Sequence, residues 1–196
     1  MEKFYLEKPS LERKNDAIEY INEFEKYNSE IHGVGSLNKY LENYELWLEH
    51  LDNMRKITEI DKLVPSETFF LIRESDNKIV GMIDIRLALN DFLKKYGGNI
   101  GYSIRPSERR KGYNKINLYL ALKFCQEKGL KEVLLDCDID NLGSDNSIIS
   151  LGGVLVKEEI NEISNTVMKD FIINVDESIE KYKERYEKFL KQKIRK

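Results

Sequence analysis

Residues 101–113 read Gly-Tyr-Ser-Ile-Arg-Pro-Ser-Glu-Arg-Arg-Lys-Gly-Tyr, and a helix-forming stretch follows at once. An extended run, a tight basic turn and a helix start, in that order, suit a phosphate group. The first amides of a helix have no partner within it, and the helix dipole favours negative charge there. Pro106 fixes its own φ and biases Arg105 towards extended backbone, which ends the strand. Gly112 permits close backbone approach just before residues 114–128 turn helical. Arg109, Arg110, Lys111 and Lys115 surround that start, so a pyrophosphate is the ligand the turn would take. The spelling excludes the commoner phosphate loops: no Gly-Lys-Ser/Thr and no set of three spaced glycines is present.

The turn resembles motif A of the GNAT superfamily, the acetyl-coenzyme-A-dependent N-acyltransferases, whose loop reads Arg/Gln-x-x-Gly-x-Gly/Ala between a strand and a helix. Here it is Arg109-Arg-Lys-Gly112-Tyr-Asn114. Residues 97–109 resemble the family's fourth strand and its turn. Downstream, Leu-Leu-Asp-Cys-Asp-Ile-Asp-Asn at 134–141, then Gly143-Ser144 and Gly152-Gly153, resemble the fifth strand, the Asn-x-x-Ser helix start and the glycine before the sixth strand. The likeness covers residues 60–175. It implies acetyl-CoA as acyl donor, with the pantetheine arm paired to the backbone around Tyr102, Ser103, Ile104 and Arg105. The pyrophosphate would lie on the amides of Arg110, Lys111, Gly112, Tyr113, Asn114 and Lys115, with Arg109 beside it. Asn141 and Ser144 match positions that contact the pantetheine or cap the helix next to it. Asn114 departs from the small residue usual at the end of the loop motif.

Acyl transfer to an amine needs a free lone pair, a held thioester and a proton for the departing thiolate. The family commonly supplies a carboxylate base near the start of the fourth strand and a tyrosine acid in the helix after the fifth. In this chain Asn99 and Ile148 stand there instead. Asp84, Asp136, Asp138 and Asp140 are the substitute bases, and Tyr102, Tyr113 and Cys137 the substitute acids. The resemblance also implies that Glu23, His32, Tyr40, Tyr44 and Trp47, on the first helices, meet the acceptor, a small-molecule or peptide amine. A degenerate relative that binds acyl-CoA without turnover is the alternative.

The surrounding composition narrows the classes. Lys and Arg number 32 against 35 Asp and Glu, so no global field draws nucleic acid and any basic patch is local. The two cysteines, Cys125 and Cys137, and the two histidines, His32 and His50, lack metal-ligand spacing; no metal is expected, and both thiols are expected to be buried. No signal peptide opens the chain and no apolar run reaches the ~20 residues of a membrane span, so a reduced, cytoplasmic setting is expected. The length suits one core.

Several elements must hold these residues in place. Apolar spacing predicts amphipathic helices over 11–28 and 36–54, the second capped by Ser36. A hairpin is predicted from 68–73 and 79–89 around a polar turn, with Ile83, Ile85, Leu87 and Leu89 on one face and Asp84, Arg86, Ala88 and Asn90 on the other, solvent or cleft. A strand over 99–104, a helix closed by Gly129, a strand from 132, a short helix over 144–151 and a hairpin from 154–160 and 166–175 follow. The fold class expected is α/β (α+β), a central mixed, mostly antiparallel sheet flanked by helices, with residues 1–175 as the domain. Residues 176–196, with Ile179, Tyr182, Tyr186, Phe189, Leu190 and Ile194 as an apolar stripe, form an extra C-terminal helix, which packs on its own domain or serves a homodimer.

Overall fold

The computed structural model describes residues 1–58 and 62–191. The chain opens on β1 (Phe4–Glu7), a 3-10 turn (Leu11–Arg13) and α1 (Lys14–Lys26), then a second 3-10 turn (Leu37–Lys39) and α2 (Tyr44–Arg55). The hairpin β2 (Ser66–Arg73) and β3 (Lys78–Arg86) leads through α3 (Asp91–Lys95) to β4 (Ile100–Ile104). After the 3-10 turn Pro106–Glu108 come α4 (Tyr113–Glu127), β5 (Glu132–Asp138), α5 (Leu142–Ile149), β6 (Val154–Asn161), β7 (Thr166–Asn174) and α6 (Val175–Tyr186). A last 3-10 turn spans Glu187–Phe189.

The expected mixed sheet is realised as two antiparallel sheets, ordered β1-β2-β3-β4 and β5-β7-β6. They touch at the start of β4. Asn99 N–H donates to Leu134 O at 2.6 Å, its Oδ1 accepts the Leu134 amide at 2.9 Å, and its Nδ2 donates to Arg86 O at 3.0 Å. A Cβ on Gly98 would run into the Leu134 carbonyl, and Gly98 has φ +54, so only glycine lets the two backbones meet so closely. Beyond this junction β4 and β5 part.

Helices cover the first sheet on both faces. Phe69, Leu71, Ile83, Ile85 and Ile104 pack with Leu118, Tyr119 and Leu122 of α4, while Phe70, Ile72 and Met82 pack with Tyr20, Ile21, Phe24, Trp47 and Leu51 of α1 and α2. The Asp84 face of β3 is therefore neither solvent nor open cleft. β3 ends at Arg86 rather than running to residue 89.

One helix start differs from expectation. The helix predicted over 36–54 is broken: Ser36 lies in the left-handed region at φ 66 and caps nothing, while Asn43 Oδ1 accepts the Leu46 amide at 3.3 Å and starts α2 there. Asparagine does this well because its short carbonyl reaches the third amide of the helix. β1 was not foreseen; four residues at a sheet edge carry too little periodicity to be read. The end of α4 follows the expected pattern, with Gly129 at φ +82 and the Leu130 amide reaching Cys125 O.

The apolar stripe of α6 packs into the main core, Ile179 and Tyr186 buried and Tyr182, Phe189 and Leu190 against them. Leu190 runs parallel beside Phe4 of β1. Ile194 falls outside the described residues. Among the described residues no helix is long and apolar enough to cross a membrane.

Candidate active site

The outward edge of β4 is the first component. Arg86 N–H donates to Asn99 O and Arg105 N–H to Val80 O, and the register pairs Met82 with Ser103 and Asp84 with Gly101. In an antiparallel ladder these alternate positions turn their backbone groups to the neighbour. Ser103 and Arg105 thus face β3, and Tyr102 and Ile104 present theirs on the edge that no strand takes. This corrects the backbone pairing expected at Ser103 and Arg105. Their side chains are occupied as well. Tyr20 Oη donates to Ser103 O and Oγ, both at 3.0 Å. The Arg105 guanidinium, 2% exposed, donates to Ile79 O at 3.0 Å, Glu19 at 2.8 Å and Glu23 at 3.1 Å.

That edge runs into the start of α4. Gly112 is its N-cap at φ 82 and no side chain caps the helix; the Lys115 amide reaches Gly112 O at 3.2 Å, while those of Tyr113 and Asn114 have no partner among the described residues. A Cβ on Gly112 would meet nothing within 4 Å, so the helix start is open on that side. Arg110 sits exposed in the left-handed region at φ 64. The basic patch is smaller than its spelling suggests. Lys111 Nζ is 2.7 Å from Glu108, which also binds Arg73 at 2.8 Å. Burial pushes the Glu108 carboxyl up, but Arg73 and Lys111 hold it down at about 2. Arg109 donates to Ile104 O at 3.2 Å and Ser29 Oγ at 2.8 Å, and lies over the Phe24 ring. Arg110 and Lys115 have no carboxylate within ion-pair range among the described residues, and Tyr113 turns inward to bind Glu2 at 2.6 Å.

Where β4 and β5 part, the Tyr102 hydroxyl and Ser144 Oγ lie 2.7 Å apart. Burial raises the Tyr102 phenol, with hydrogen bonds to Ser144 and Asn114 opposing. Asn114 therefore points towards this gap, and its buried Oδ1 has no hydrogen-bond partner among the described residues. Burial lifts the Cys137 thiol to about 11 against a hydrogen bond with Ser144, and both cysteines are buried and free. Asn141 Oδ1 accepts the Ser144 amide at 3.1 Å and caps α5.

The candidate bases separate. Asp138 Oδ1 accepts the Asp140 amide at 3.0 Å and shapes a turn; Asp140 is exposed. Asp84, 7% exposed, accepts from Thr68 Oγ1 at 2.8 Å with Arg86 3.8 Å away. Its burial raises the carboxyl above the ordinary range. The folded state then holds that proton more tightly than the unfolded one, so stability falls as pH rises from about 4 through the raised value. Asp84→Asn is expected to melt higher than the parent at neutral pH, the gap closing towards acid. A gap constant with pH in thermal melts contradicts this.

Asp136 Oδ2 accepts the Gly97 amide at 2.8 Å, tying β5 to the turn before β4. Directly opposite it in the ladder is Asp170, which sequence reasoning missed because the pairing of β5 with β7 is not written in either strand. Burial raises the Asp170 carboxyl, and then Asp136 and Glu159 add to this while Lys157 opposes. Asp170 has no hydrogen-bond or ion-pair partner among the described residues. Val133, Leu135, Cys137, Phe171 and Ile173 face α4, so Asp136, Asp138 and Asp170 share the opposite, half-open face.

The residues expected on the acceptor side from α1 and α2 are not gathered there. Tyr44 and Trp47 are fully buried, Trp47 Nε1 donating to Gly35 O. Tyr40 stacks on His50, Glu23 serves Arg105 and accepts the Ser107 amide, and His32 is exposed near Glu30.

A family model described as the acetyltransferase (GNAT) family matches residues 18–147, two-thirds of the chain. The chain belongs to the GNAT family. No curated protein matches it, but solved structures do. RimJ of Mycobacterium smegmatis, in complex with CoA-disulfide, superposes with a TM-score of 0.70 at 12% identity, over 93% of this chain and 88% of that one. The spermidine/spermine N-acetyltransferase SpeG of Vibrio cholerae gives 0.64 at 12%, over 91% and 98%. YncA of Salmonella typhimurium, solved with its cofactor acetyl-CoA, gives 0.60 at 11%, over 89% and 95%. At such identities the likeness is one of fold. Acetyl-CoA is the co-substrate typical of GNAT proteins, and the residues here fit it: an unpaired strand edge leads to a helix start that no side chain caps, beside a glycine open to its surroundings.

Proposed function

We propose that this GNAT protein is an N-acetyltransferase that transfers acetyl from acetyl-CoA to a primary amine by direct attack. The observation that carries the reading is the continuity of the free edge at Tyr102 with the uncapped start of α4, Arg109 lying on Ile104 O between them. Acetyl-CoA supplies an activated thioester when bound. Tyr102 would pair with the amides of its pantetheine arm, and the amides at 112–114, with the Arg110 and Lys115 side chains, would hold its pyrophosphate. On the opposite face Asp136, Asp138 and Asp170 favour a protonated amine, as expected for a small cationic or peptide acceptor. Asp170, raised and unpaired, takes the amine's proton as general base. Tyr102, whose hydroxyl stands in the gap, returns a proton to the departing thiol. Asn99 cannot act as a base, because both ends of its amide hold the two sheets together.

Gly112→Asp tests the site. It sets a charge before the open amides, in a backbone region aspartate tolerates better than most residues, so binding suffers more than folding. Isothermal titration should show at least about tenfold weaker acetyl-CoA binding, roughly 1.4 kcal/mol. Equal affinity in variant and parent rules the cradle out. One observation favours a second reading: Ile148, fully buried, stands where the family keeps its tyrosine acid. A protein that binds acyl-CoA without catalysis would titrate normally yet release no thiol across a panel of amines.

A further inference from the structure

A cavity of about 590 Å³ adjoins the start of α4. Lys111, Gly112 and Lys115 form one side of it, and Arg185, Tyr186 and Lys188 another. The second group comes from the end of α6 and the turn after it, outside the region the family model matches. Packing brings it there. Asp176, at the start of α6, binds Gln126 and Lys131 at the far end of α4, and Tyr186, one helix-length on, stacks on Tyr119 at 5.2 Å. The two helices therefore run antiparallel, and the end of α6 arrives beside the start of α4.

The charges around this cavity are unevenly used. Lys111 is neutralised by Glu108, and Glu2, the one carboxylate lining the cavity, is held by the Tyr113 hydroxyl. Lys115, Arg185 and Lys188 have no carboxylate within ion-pair range among the described residues. Arg185 and Lys188 are exposed and lie over the rings of Tyr186 and Phe189. Tyr186 itself is 3% exposed, and its hydroxyl has no hydrogen-bond partner among the described residues.

Coenzyme A carries a second anion besides its pyrophosphate, the 3′-phosphomonoester on the adenosine ribose. A pyrophosphate held at the open amides of α4 leaves that group one sugar away, and Arg185 and Lys188 are the cations that the end of α6 and the turn after it bring to the cavity beside those amides. We propose that Arg185 and Lys188, with Lys115, bind the 3′-phosphate, so that the C-terminal helix makes the protein selective for coenzyme A over its dephospho form. Charge-assisted bonds from arginine and lysine to a phosphate dianion are among the stronger polar contacts a surface site can make. The inference rests on the acetyl-CoA reading above.

Titration calorimetry with acetyl-CoA and acetyl-dephospho-CoA, on the parent and on an Arg185→Ala, Lys188→Ala double variant, tests it. Both side chains are exposed, so the core is left intact. The parent should bind acetyl-CoA about tenfold or more tightly than the dephospho compound. The double variant should lose that preference while binding the dephospho compound as the parent does. A parent indifferent to the 3′-phosphate, or a double variant that keeps the preference, overturns the proposal and leaves the acetyl-CoA site standing. A parent that binds neither compound overturns the acetyl-CoA reading itself, and this inference with it.

Discussion

Asp170→Asn should lower kcat/KM for the amine acceptor about 100-fold and raise the melting temperature. The two effects have one origin. Burial, then the carboxylates of Asp136 and Glu159, holds the Asp170 proton more tightly than in the unfolded chain. Stability is therefore lost as pH rises through the raised value, and removing the charge recovers it. The like-charge pair Asp136 and Asp170, face to face in the ladder, is unfavourable on its own. As a base, the same group works only when ionised, so activity in the parent climbs with pH over the window in which stability declines. The asparagine variant should lose that acid limb of the kcat/KM profile. A variant that is slower because it is misfolded would melt lower, which makes the paired measurement decisive. Unchanged kcat/KM with an intact limb would move the base elsewhere.

Arg105→Ala should cost about 3 kcal/mol, the lower end for removing one partner of a buried ion pair, because Glu19 is largely exposed. For a chain of this length that corresponds to a fall of roughly 6–12 °C in melting temperature. The loss has three parts. The guanidinium leaves Ile79 O without its donor, Glu23 without its charge partner, and a void beside the Tyr20 ring over which it lies at 5.5 Å. Glu23 also accepts the Ser107 amide at 2.8 Å, so the turn before Gly112 loosens and acetyl-CoA affinity should drop with stability. Arg105→Lys keeps a charge but not the planar fork and should fall in between. Thermal melts that leave the alanine variant within 1–2 °C of the parent would deny the network its weight (~1 kcal/mol at most).

The Arg105 result bears on what could be read in advance. Local signals carried the turn at Pro106, the start of α4 near Gly112, the Asn141 cap and the order of strands from residue 66 onward, because each depends on neighbours a few positions away. The use of the basic residues could not be read that way. Arg105, Arg109 and Lys111 look alike in the string, yet the first is buried against α1, the second clasps Ile104 O and Ser29, and the third belongs to Glu108; among the described residues Arg110 and Lys115 are left without a carboxylate. Asp170 was invisible for the same reason, since its neighbour Asp136 lies 34 positions back in the chain and meets it only across a ladder. The aromatic residues of α2 pointed to the acceptor by analogy, and burial claimed them first.

The sheet margins of this molecule are not treated alike. An open strand margin invites another chain to add to it, and proteins usually guard against this. β1 is sheathed by Leu190 and by the Lys191 amide donating to Phe4 O at 2.9 Å. β6, the outermost strand of the second sheet, has its register broken between Leu155 and Lys157 and carries Lys157, Glu158 and Glu159 in succession, a kink and a run of charge that discourage stacking. β4 has neither sheath nor kink at Tyr102, and only the Arg109 guanidinium, on Ile104 O, covers its far end among the described residues. Its safeguard is position: the unguarded margin faces inward, across a gap shut at one end by Asn99 and spanned by Tyr102 and Ser144. On the proposed function, resistance to aggregation and the capacity to pair with an extended guest come from the same parting of two strands.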